Sequence, residues 1–217
     1  MVTATESCGA RAGEDPRFTS WDGLSESSLG RALREPATEC VEAGLMEHAV
    51  RRTRQGATRP RLSLTMTTRS AYRHPVTKVF TEAMQARLHF SRDLRGRFRT
   101  ALQEAVMNAM VHGNLGLDSQ LRDGLVGLTS SHAVIESLLA RPAVARRVIR
   151  VDAIWNTTML SVMVRDNGSG FARTGPELSA PPPSEKHHGR GLFILETFCD
   201  RVALLHGGTT IRLGFRL

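Results

Sequence analysis

The sequence predicts an α/β two-layer sandwich, with helices on one face of a mixed, mostly antiparallel sheet. Two observations predict this fold. Some segments alternate apolar and polar residues, as strands with one buried face do, and others repeat apolar residues every three or four positions, as amphipathic helices do. Along the chain the strands and helices are partly segregated, which favours a two-layer arrangement.

The composition is typical of a globular protein. Hydrophobic residues make up 41% of the 217 residues, which fits a soluble core. No run of about 18 apolar residues predicts a membrane span. The N-terminus carries early acids and lacks the apolar stretch of a secretory signal, so we expect a cytoplasmic location.

The basic charge of the chain is mainly an arginine bias. The formal net charge is +8, so nucleic acid and other acidic partners come into consideration. Only Lys78 and Lys186 are lysines, and the arginines are scattered, without a run that includes aromatic residues. We therefore do not expect nucleic-acid binding, while a general preference for acidic partners stays open.

The three cysteines predict neither a zinc site nor a disulfide framework. Cys8, Cys40 and Cys199 are widely spaced and form no CxxC pair. Thiols of this kind in a cytoplasmic protein are expected to be reduced and mostly inert.

Residues 1–59 are predicted to be an N-terminal extension that is flexible or partly helical. They are rich in Gly, Ser, Thr, Glu and Arg, and their apolar residues keep no sustained period. Short helices are expected only at Leu29–Leu33 and Cys40–Val50. The ordered domain is expected over residues 60–217.

The first half of this domain is predicted to hold one strand and two helices. Apolar and polar residues alternate over Leu62–Thr67, which indicates the strand. After a turn at Tyr72–Pro75, a helix is expected at Val76–His89. A second and stronger helix is expected at Leu94–His112, where apolar residues fall on one face.

The second half is predicted to end in an antiparallel hairpin. The expected elements are a helix near Ser131–Ala140, strands at Val148–Trp155 and Thr158–Asp166, a helix at Arg190–Phe198, and hairpin strands at Arg201–Leu205 and Thr209–Leu217. The stretch Asn167–Gly189 is rich in Gly and Pro, which suits a mobile loop.

Three polar residues share one side of the helix predicted at Leu94–His112. Glu104, Asn108 and His112 are spaced at i, i+4 and i+8. The Glu104 carboxylate can accept a proton from an attacking hydroxyl or water. The Asn108 amide oxygen suits Mg²⁺, which takes oxygen ligands. An ordinary solvated helix face is the alternative interpretation.

A glycine-bearing turn follows the strand that ends at Asp166. A carboxylate there can accept a hydrogen bond from an exocyclic amine such as that of adenine. Gly168 and Gly170 allow the backbone to approach a ligand closely. Taken alone, the run Asp166–Phe171 also fits a simple Asn-Gly turn between strands.

A second glycine pair opens the helix that follows the loop. This motif consists of Gly189, Arg190, Gly191 and Leu192. Free N–H groups at a helix start bind phosphate oxygens. Positive or titratable side chains nearby are Lys186, His187, His188 and Arg190. A flexible glycine linker is the alternative, and the adjacent histidines alone are a poor metal signal.

The order of these motifs resembles that of the GHKL superfamily, the histidine kinase-like ATPase domains with the Bergerat fold. ALQEAVMNAMVHGN at 101–114 is similar to the family's N box, DNGSGF at 166–171 to its G1 box, and GRGLFI at 189–194 to its G2 box. Residues 172–188 correspond to its ATP lid. EAVMNAMVHGN and GRGLFILETFCDRV resemble in particular the bacterial anti-sigma-factor serine/threonine kinases.

This resemblance implies ATP and Mg²⁺ as ligands and gives the motifs roles. Glu104 would be the general base, Asn108 the Mg²⁺ ligand and Asp166 the reader of the adenine amine. His112 is similar to the histidine of the family's NAxxHG run, with bracing of the helix end as its other role. Further ATP-binding residues would be Gly168, Gly170, Phe171, Lys186, His188, Gly189, Arg190, Gly191 and Leu192.

The activity implied by the resemblance is that of an ATP-dependent serine/threonine protein kinase. Its substrate would be a STAS-domain anti-anti-sigma partner in a bacterial regulatory partner switch, a sigma factor would be a further partner, and a homodimer is left open. Two alternatives remain: a non-catalytic nucleotide-gated binding module, and the catalytic domain of a two-component histidine kinase. Neither His48 nor His74 fits the phosphoacceptor pattern that the second alternative needs.

Overall fold

One mixed sheet of seven strands organises the chain in the computed structural model, which describes residues 15–45, 61–117, 127–170 and 190–217. The strands are β1 Phe18–Trp21, β2 Glu39–Glu42, β3 Arg61–Thr67, β4 Val148–Trp155, β5 Met159–Arg165, β6 Arg201–Leu205 and β7 Thr210–Arg216. Their order is β1-β2-β3-β4-β5-β7-β6. β1, β2 and β3 run parallel, and every other pair is antiparallel. The predicted α/β sandwich with a mixed, mostly antiparallel sheet is thereby confirmed.

Helices pack on this sheet and supply the second layer. They are α1 Glu26–Ala32, α2 Thr68–Arg73, α3 Val76–Leu88, α4 Arg92–Asn108, α5 Gly127–Leu139, α6 Pro142–Ala145 and α7 Arg190–Phe198. A π-helical turn at Ala109–Asn114 continues α4, and 3₁₀ turns occur at Ala43–Leu45 and His206–Gly208. Across the described part of the chain, none of the helices combines the length and the apolar character needed to cross a membrane.

The core forms where alternating strand positions meet the helices. On β5, Leu160, Val162 and Val164 are buried, while the residues between them are half-buried. Their partners on β7 are equally apolar. The ring centroid of one of these partners, Phe215, lies 5.4 Å from that of Phe98 on α4. Alternation at period two on the strands therefore meets the apolar face of α4.

The prediction of a loose extension over residues 1–59 is wrong for residues 15–45. β1 and β2 extend the sheet beside β3, and α1 covers them. Trp21 and Leu33 are almost fully buried in the main core. The predicted helix at Leu29–Leu33 corresponds to α1, whereas Cys40 lies in strand β2 and not in a helix. Residues 46–50 lie outside the described residues.

The sequence missed these two strands because each has only four residues. Such a strand shows at most two alternations, which gives no detectable period. β2 is held instead by its pairing with β3, where Glu39 lies opposite Ser63 and Val41 opposite Thr65. This stabilisation comes from residues about twenty positions away and is invisible locally.

The turn predicted at Tyr72–Pro75 is helical in its first half. α2 extends through Tyr72 to Arg73, because Thr67 caps its first turn and accepts a hydrogen bond of 3.1 Å from Ser70 N–H. The carboxylate of Glu42 on β2 adds a 2.7 Å bond from Thr67 N–H. The start of α2 is thus held by the N-terminal segment of the chain.

The two described cysteines are structural. Cys40 is fully buried and Cys199 is 8% exposed. Burial raises the pKa of Cys40 to about 11 and that of Cys199 to about 12. Because the thiolate is the reactive form, both thiols should be poor nucleophiles at neutral pH. Cys8 lies outside the described residues.

Candidate functional site

Helix α4 presents two of the predicted site residues opposite its buried face. Its N-cap is Ser91, whose hydroxyl accepts a 3.1 Å hydrogen bond from Leu94 N–H. Its apolar face is buried against the sheet and α3. Glu104 and Asn108, one turn apart, are half-buried on the other side. They therefore stand at a partly water-excluded surface.

The first turn of α7 lies directly against these two side chains. A Cβ atom added to Gly191 would overlap the Glu104 carboxylate oxygen Oε1 and would lie 3.2 Å from Asn108 Nδ2. Only glycine fits there without displacing the carboxylate. The structure therefore joins the N-box and G2-box motifs at one point, over 80 residues apart in sequence.

The far end of α7 is tied to the same helix. The Arg97 side chain on α4 donates from Nε to the Phe198 carbonyl at 3.1 Å, and from Nη2 to Asp200 at 3.2 Å. Leu195 on α7 is fully buried between the layers. Together these contacts fix how the glycine-bearing start of α7 meets Glu104.

Gly191→Ala is expected to reduce any activity that needs the Glu104 carboxylate while sparing the fold. The new methyl group would push Glu104 into another rotamer, which is easy for the far end of a flexible side chain. Alanine also improves helix propensity by up to about 1 kcal/mol. We expect an unchanged or higher Tm together with a loss of at least about tenfold in ATP turnover. Equal turnover in both proteins would show that the position of this carboxylate does not matter.

The end of α4 widens into the π-helical turn at Ala109–Asn114, which sequence periodicity did not predict. The N–H of Leu115 bonds the carbonyl of Met110 at 2.8 Å, five residues back. Because the wider turn changes the rotation per residue, His112 departs from the line of Glu104 and Asn108. The His112 ring bonds the Leu117 carbonyl at 2.7 Å and so braces the following loop.

Gly113 in the π-helical turn holds the Asp166 carboxylate closely. A Cβ on Gly113 would stand 2.6 Å from Asp166 Oδ1 and 2.7 Å from Oδ2. A Cβ on Gly168 would lie 2.5 Å from the carbonyl carbon of Gly113. The two glycines therefore let the turn after β5 close onto the end of α4.

The Asp166 carboxyl is half-buried, and its protonation reflects that. Burial raises the pKa of Asp166, and a 2.7 Å hydrogen bond from Gly168 N–H to Oδ1 opposes part of the rise. A desolvated carboxylate whose second oxygen receives no hydrogen bond from the described residues is well suited to accept one from a ligand amine.

Asp166→Asn is expected to weaken ATP binding and to leave the free protein at least as stable. Loss of a hydrogen bond to a charged acceptor costs about 1.5–3 kcal/mol, or about 10- to 100-fold in affinity. In the wild type the folded state holds its proton more tightly than the unfolded state, so stability falls as pH rises through the window up to the raised pKa. Asparagine does not ionise, so the variant does not lose stability in this pH window.

Titration calorimetry with ATP and thermal unfolding from pH 4 to 8 would check both parts. A variant that bound ATP as tightly as the wild type would contradict the role of Asp166. A variant that was less stable at neutral pH would contradict the cost assigned to its burial.

A buried asparagine next to this pair was not predicted as a site residue. Asn114 has no exposed surface. Its Oδ1 accepts a 2.9 Å bond from Asn167 N–H, and its Nδ2 donates to Thr68 Oγ1 at 2.7 Å and to the Val148 carbonyl at 3.1 Å. Arg147 bonds its main-chain carbonyl. Asn114 thereby fixes the backbone beside Asp166.

The sequence offered one weak signal for this network. Asn114 closes the N-box run 101–114, but Thr68 and Arg147 belong to no motif. Thr68 is fully buried, and both its N–H and its hydroxyl bond the Arg147 carbonyl at 2.8 Å. Such a network requires the folded sheet and cannot be read from spacing.

The G1 turn also meets the loop before β7. Gly170 has a φ of +74°, which favours glycine. A Cβ on Gly170 would overlap the Gly207 carbonyl and lie 3.2 Å from the Thr209 side chain. The N–H of Asp166 bonds the Thr209 carbonyl at 3.1 Å. The turn is thus packed from two sides.

Several predicted site residues cannot be placed. Phe171, Lys186, His188 and Gly189 lie outside the described residues, as do His187 and the rest of the predicted lid. Arg190 is described only as the first residue of α7. Leu192 is half-buried and packs on the core.

Helix α4 and its π-helical turn form one continuous element that connects the α7 end of the site to the Asp166 end. Asn108 lies beside Gly191, and Gly113 lies beside Asp166. Five residues along a helix span about 7 Å, which is shorter than a nucleotide. The geometry therefore brings the helix start of α7 and the Asp166 carboxylate within the reach of a single extended ligand.

Comparison with models of known protein families finds a match over more than half of the chain. The family model described as a histidine kinase-like ATPase domain matches residues 66–215. No curated protein matches the chain.

Proposed function

Because the chain belongs to the family of histidine kinase-like ATPase domains, we propose that it is an ATP-dependent serine/threonine protein kinase of the anti-sigma-factor type. Its substrate would be a STAS-domain anti-anti-sigma protein, and a sigma factor would be its second partner in a regulatory partner switch. The family implies the use of ATP. The kinase activity, its specificity and both partners are our proposal.

The contact between Gly191 and Glu104 carries this proposal. A purely nucleotide-gated module needs a site for ATP but no base beside the phosphates. Here a half-buried carboxylate touches the second residue of α7, at the end of the helix that attracts anions. A carboxylate at a helix start that is to receive phosphates weakens their binding by charge repulsion, so its presence there supports a catalytic role.

The proposed reaction needs one proton transfer from the partner protein. The hydroxyl oxygen of a serine or threonine would attack the γ-phosphorus while Glu104 takes its proton. The bond from the γ-phosphorus to the β-phosphate oxygen would break, and ADP would leave. Asp166 and the Asn114 network would hold the adenine end, so that the γ-phosphate meets Glu104 in a fixed position.

The residues at α4 fit a magnesium ion that enters with the nucleotide. Within the described ranges, no group of three or more His, Cys, Asp or Glu side chains could hold a metal. Magnesium commonly binds through one or two protein ligands plus substrate phosphates. Asn108 offers a carboxamide oxygen one turn from Glu104, and the bound ion would neutralise phosphate charge.

The environment of His74 supports this kinase over a histidine kinase. Its Nε2 bonds the Gly23 carbonyl at 2.9 Å, and its ring packs edge-on against Trp21 at 5.3 Å. A phosphoacceptor histidine needs an accessible ring nitrogen, and Nε2 of His74 is engaged in this contact. His48 lies outside the described residues.

The test is transfer of label from γ-labelled ATP to a purified STAS-domain protein encoded nearby, in the presence of Mg²⁺. We expect an acid-stable phosphate on a serine or threonine of the partner. An acid-labile label on a histidine would favour the histidine-kinase alternative. ATP binding without transfer to any partner would favour the nucleotide-gated module and refute the proposed activity.

A further inference from the structure

The sheet face turned away from the core carries arginines on its β5-β7-β6 side. Because even-numbered residues of β5 are buried in the core, its odd-numbered residues point the other way. The register places Met163 opposite Arg212 and Met159 opposite Arg216. Arg201 on β6 lies on the same face, opposite Gly214. We call Met159, Met163, Arg165, Arg201, Arg212 and Arg216 the arginine face.

The side chains of the arginine face are accessible. Arg201, Arg212 and Arg216 are exposed, the last with 81% of its side-chain surface. The two methionines are half-buried, so their apolar surface lies between the guanidinium groups. Arg165, also on β5, is half-buried and donates from Nε to the Thr210 hydroxyl at 3.3 Å.

The other half of the same sheet face is already neutralised. Glu39 is 2% exposed and pairs with Arg150 at 3.3 Å and Arg61 at 3.6 Å. Asp152 binds Arg150 at 2.8 Å and accepts a 2.7 Å bond from Ser63. These carboxylates are thus engaged on β2, β3 and β4 and do not balance the arginine face.

Little negative charge reaches the arginine face from elsewhere in the described ranges. Asp200 is the one carboxylate there within 4.0 Å of its arginines, 3.9 Å from Arg216. The same carboxylate also binds Arg97 at 3.2 Å. The face therefore carries a net positive charge that a partner could complement.

We propose that the arginine face binds an acidic surface of a partner protein. Arginine and methionine are enriched in protein interfaces, whereas lysine is depleted. Guanidinium groups pair with carboxylates through two parallel hydrogen bonds. The three strands are at most seven residues long and span about 15 by 23 Å, which can form the centre of a small, transient interface.

Other occupants fit this face less well. A second copy would set one arginine face against another, and like charges in contact cost several kcal/mol. Single-stranded nucleic acid is bound by stacking on aromatic side chains, and the outward positions of β5, β6 and β7 include none. Duplex phosphates would leave the methionines without an apolar partner.

The arginine face lies on the opposite side of the sheet from the nucleotide site. Glu104 and Gly191 belong to the helical layer. A protein bound to the arginine face would leave Glu104 and Gly191 accessible to other ligands. This inference does not depend on phosphotransfer.

The test measures binding of labelled acidic polypeptides to the full chain. The probes are a glutamate/leucine copolymer, poly-L-glutamate and a duplex DNA of equal charge. R201E/R212E is expected to weaken copolymer binding at least about tenfold. The control R92E/R99E changes net charge equally on exposed positions of α4 and should cost less than about threefold. Unchanged ATP affinity would show that both variants are folded.

A third variant tests the apolar part of the face. The wild type should bind the glutamate/leucine copolymer more tightly than poly-L-glutamate, because leucine can contact the two methionines. M159S/M163S should remove this preference, because serine takes away the apolar contact. Equal losses in R201E/R212E and R92E/R99E would overturn the proposal, since bulk charge would then explain binding. Duplex DNA bound more tightly than the copolymer, with the same arginine dependence, would also overturn it in favour of nucleic acid.

Discussion

Glu104→Gln is expected to slow phosphotransfer to the partner protein about 10²- to 10⁴-fold, the usual contribution of a general base. Glutamine keeps the size and shape of glutamate beside Gly191, so the contact between α4 and α7 should persist. ATP affinity should stay the same or rise, because a negative charge near the phosphates is removed. Single-turnover transfer and ATP titration, measured on the same preparation, separate the two effects.

The matched control for this variant is Glu196→Gln. Glu196 is an exposed carboxylate on α7, so its loss changes the charge of the same helix without touching the site. We expect transfer by this control to equal that of the wild type. If Glu104→Gln also transferred at the wild-type rate, the base would have to be another group, and the catalytic role of Glu104 would be lost.

Gly168→Ala is expected to damage both stability and nucleotide binding. Its Cβ would lie 2.5 Å from the carbonyl carbon of Gly113, which is backbone and cannot rotate away. The turn after β5 must therefore shift, at a cost of about 1–3 kcal/mol in unfolding free energy. Since Asp166 is held by the same turn, ATP affinity should fall at least about tenfold. Chemical denaturation and calorimetry measure the two losses.

Gly96→Ala is the control that separates steric overlap from the chemistry of the substitution. Gly96 lies on the exposed side of α4 with no atom within 4 Å of a Cβ. Alanine there should stabilise the protein by up to about 1 kcal/mol and leave ATP binding unchanged. An equally harmless Gly168→Ala would mean that the close approach to Gly113 is dispensable.

The predictions for Gly191→Ala and Gly168→Ala differ because the two glycines face different kinds of neighbour. Gly191 faces the end of a flexible carboxylate, so a methyl group there misplaces a functional group while the fold persists. Gly168 faces the main chain of the π-helical turn, so a methyl group there must move the fold itself. Sequence motifs contain both glycines and cannot distinguish these consequences.

Much of the fold could be predicted from the sequence, because local periodicity determines the longer elements. The strands β3, β4 and β5, the helices α3 and α7, and the closing hairpin lie within one or two residues of their predicted bounds. Each has enough alternations or helical turns to show its period. The predicted nucleotide motifs could likewise be recognised, because their glycines and polar residues keep fixed spacings within short runs.

Long-range contacts decided the rest. β1 and β2 form because β3 accepts them at the sheet edge. The π-helical turn brings Gly113 onto Asp166, and Asn114 joins Thr68 to Asn167 by hydrogen bonds. None of these partners is close in sequence, so no local pattern encodes them.

The sequence by itself determined the longer elements and the order of the nucleotide motifs, since both depend on spacing within short segments. Only the tertiary structure decided that Gly191 touches Glu104 and that residues 15–45 complete the sheet. It also decided that arginines gather on the outward face of β5, β6 and β7, where Asp200 is the one carboxylate among the described residues within 4.0 Å of them. Close packing selects among distant segments, and its outcome depends on the shape of both partners at once.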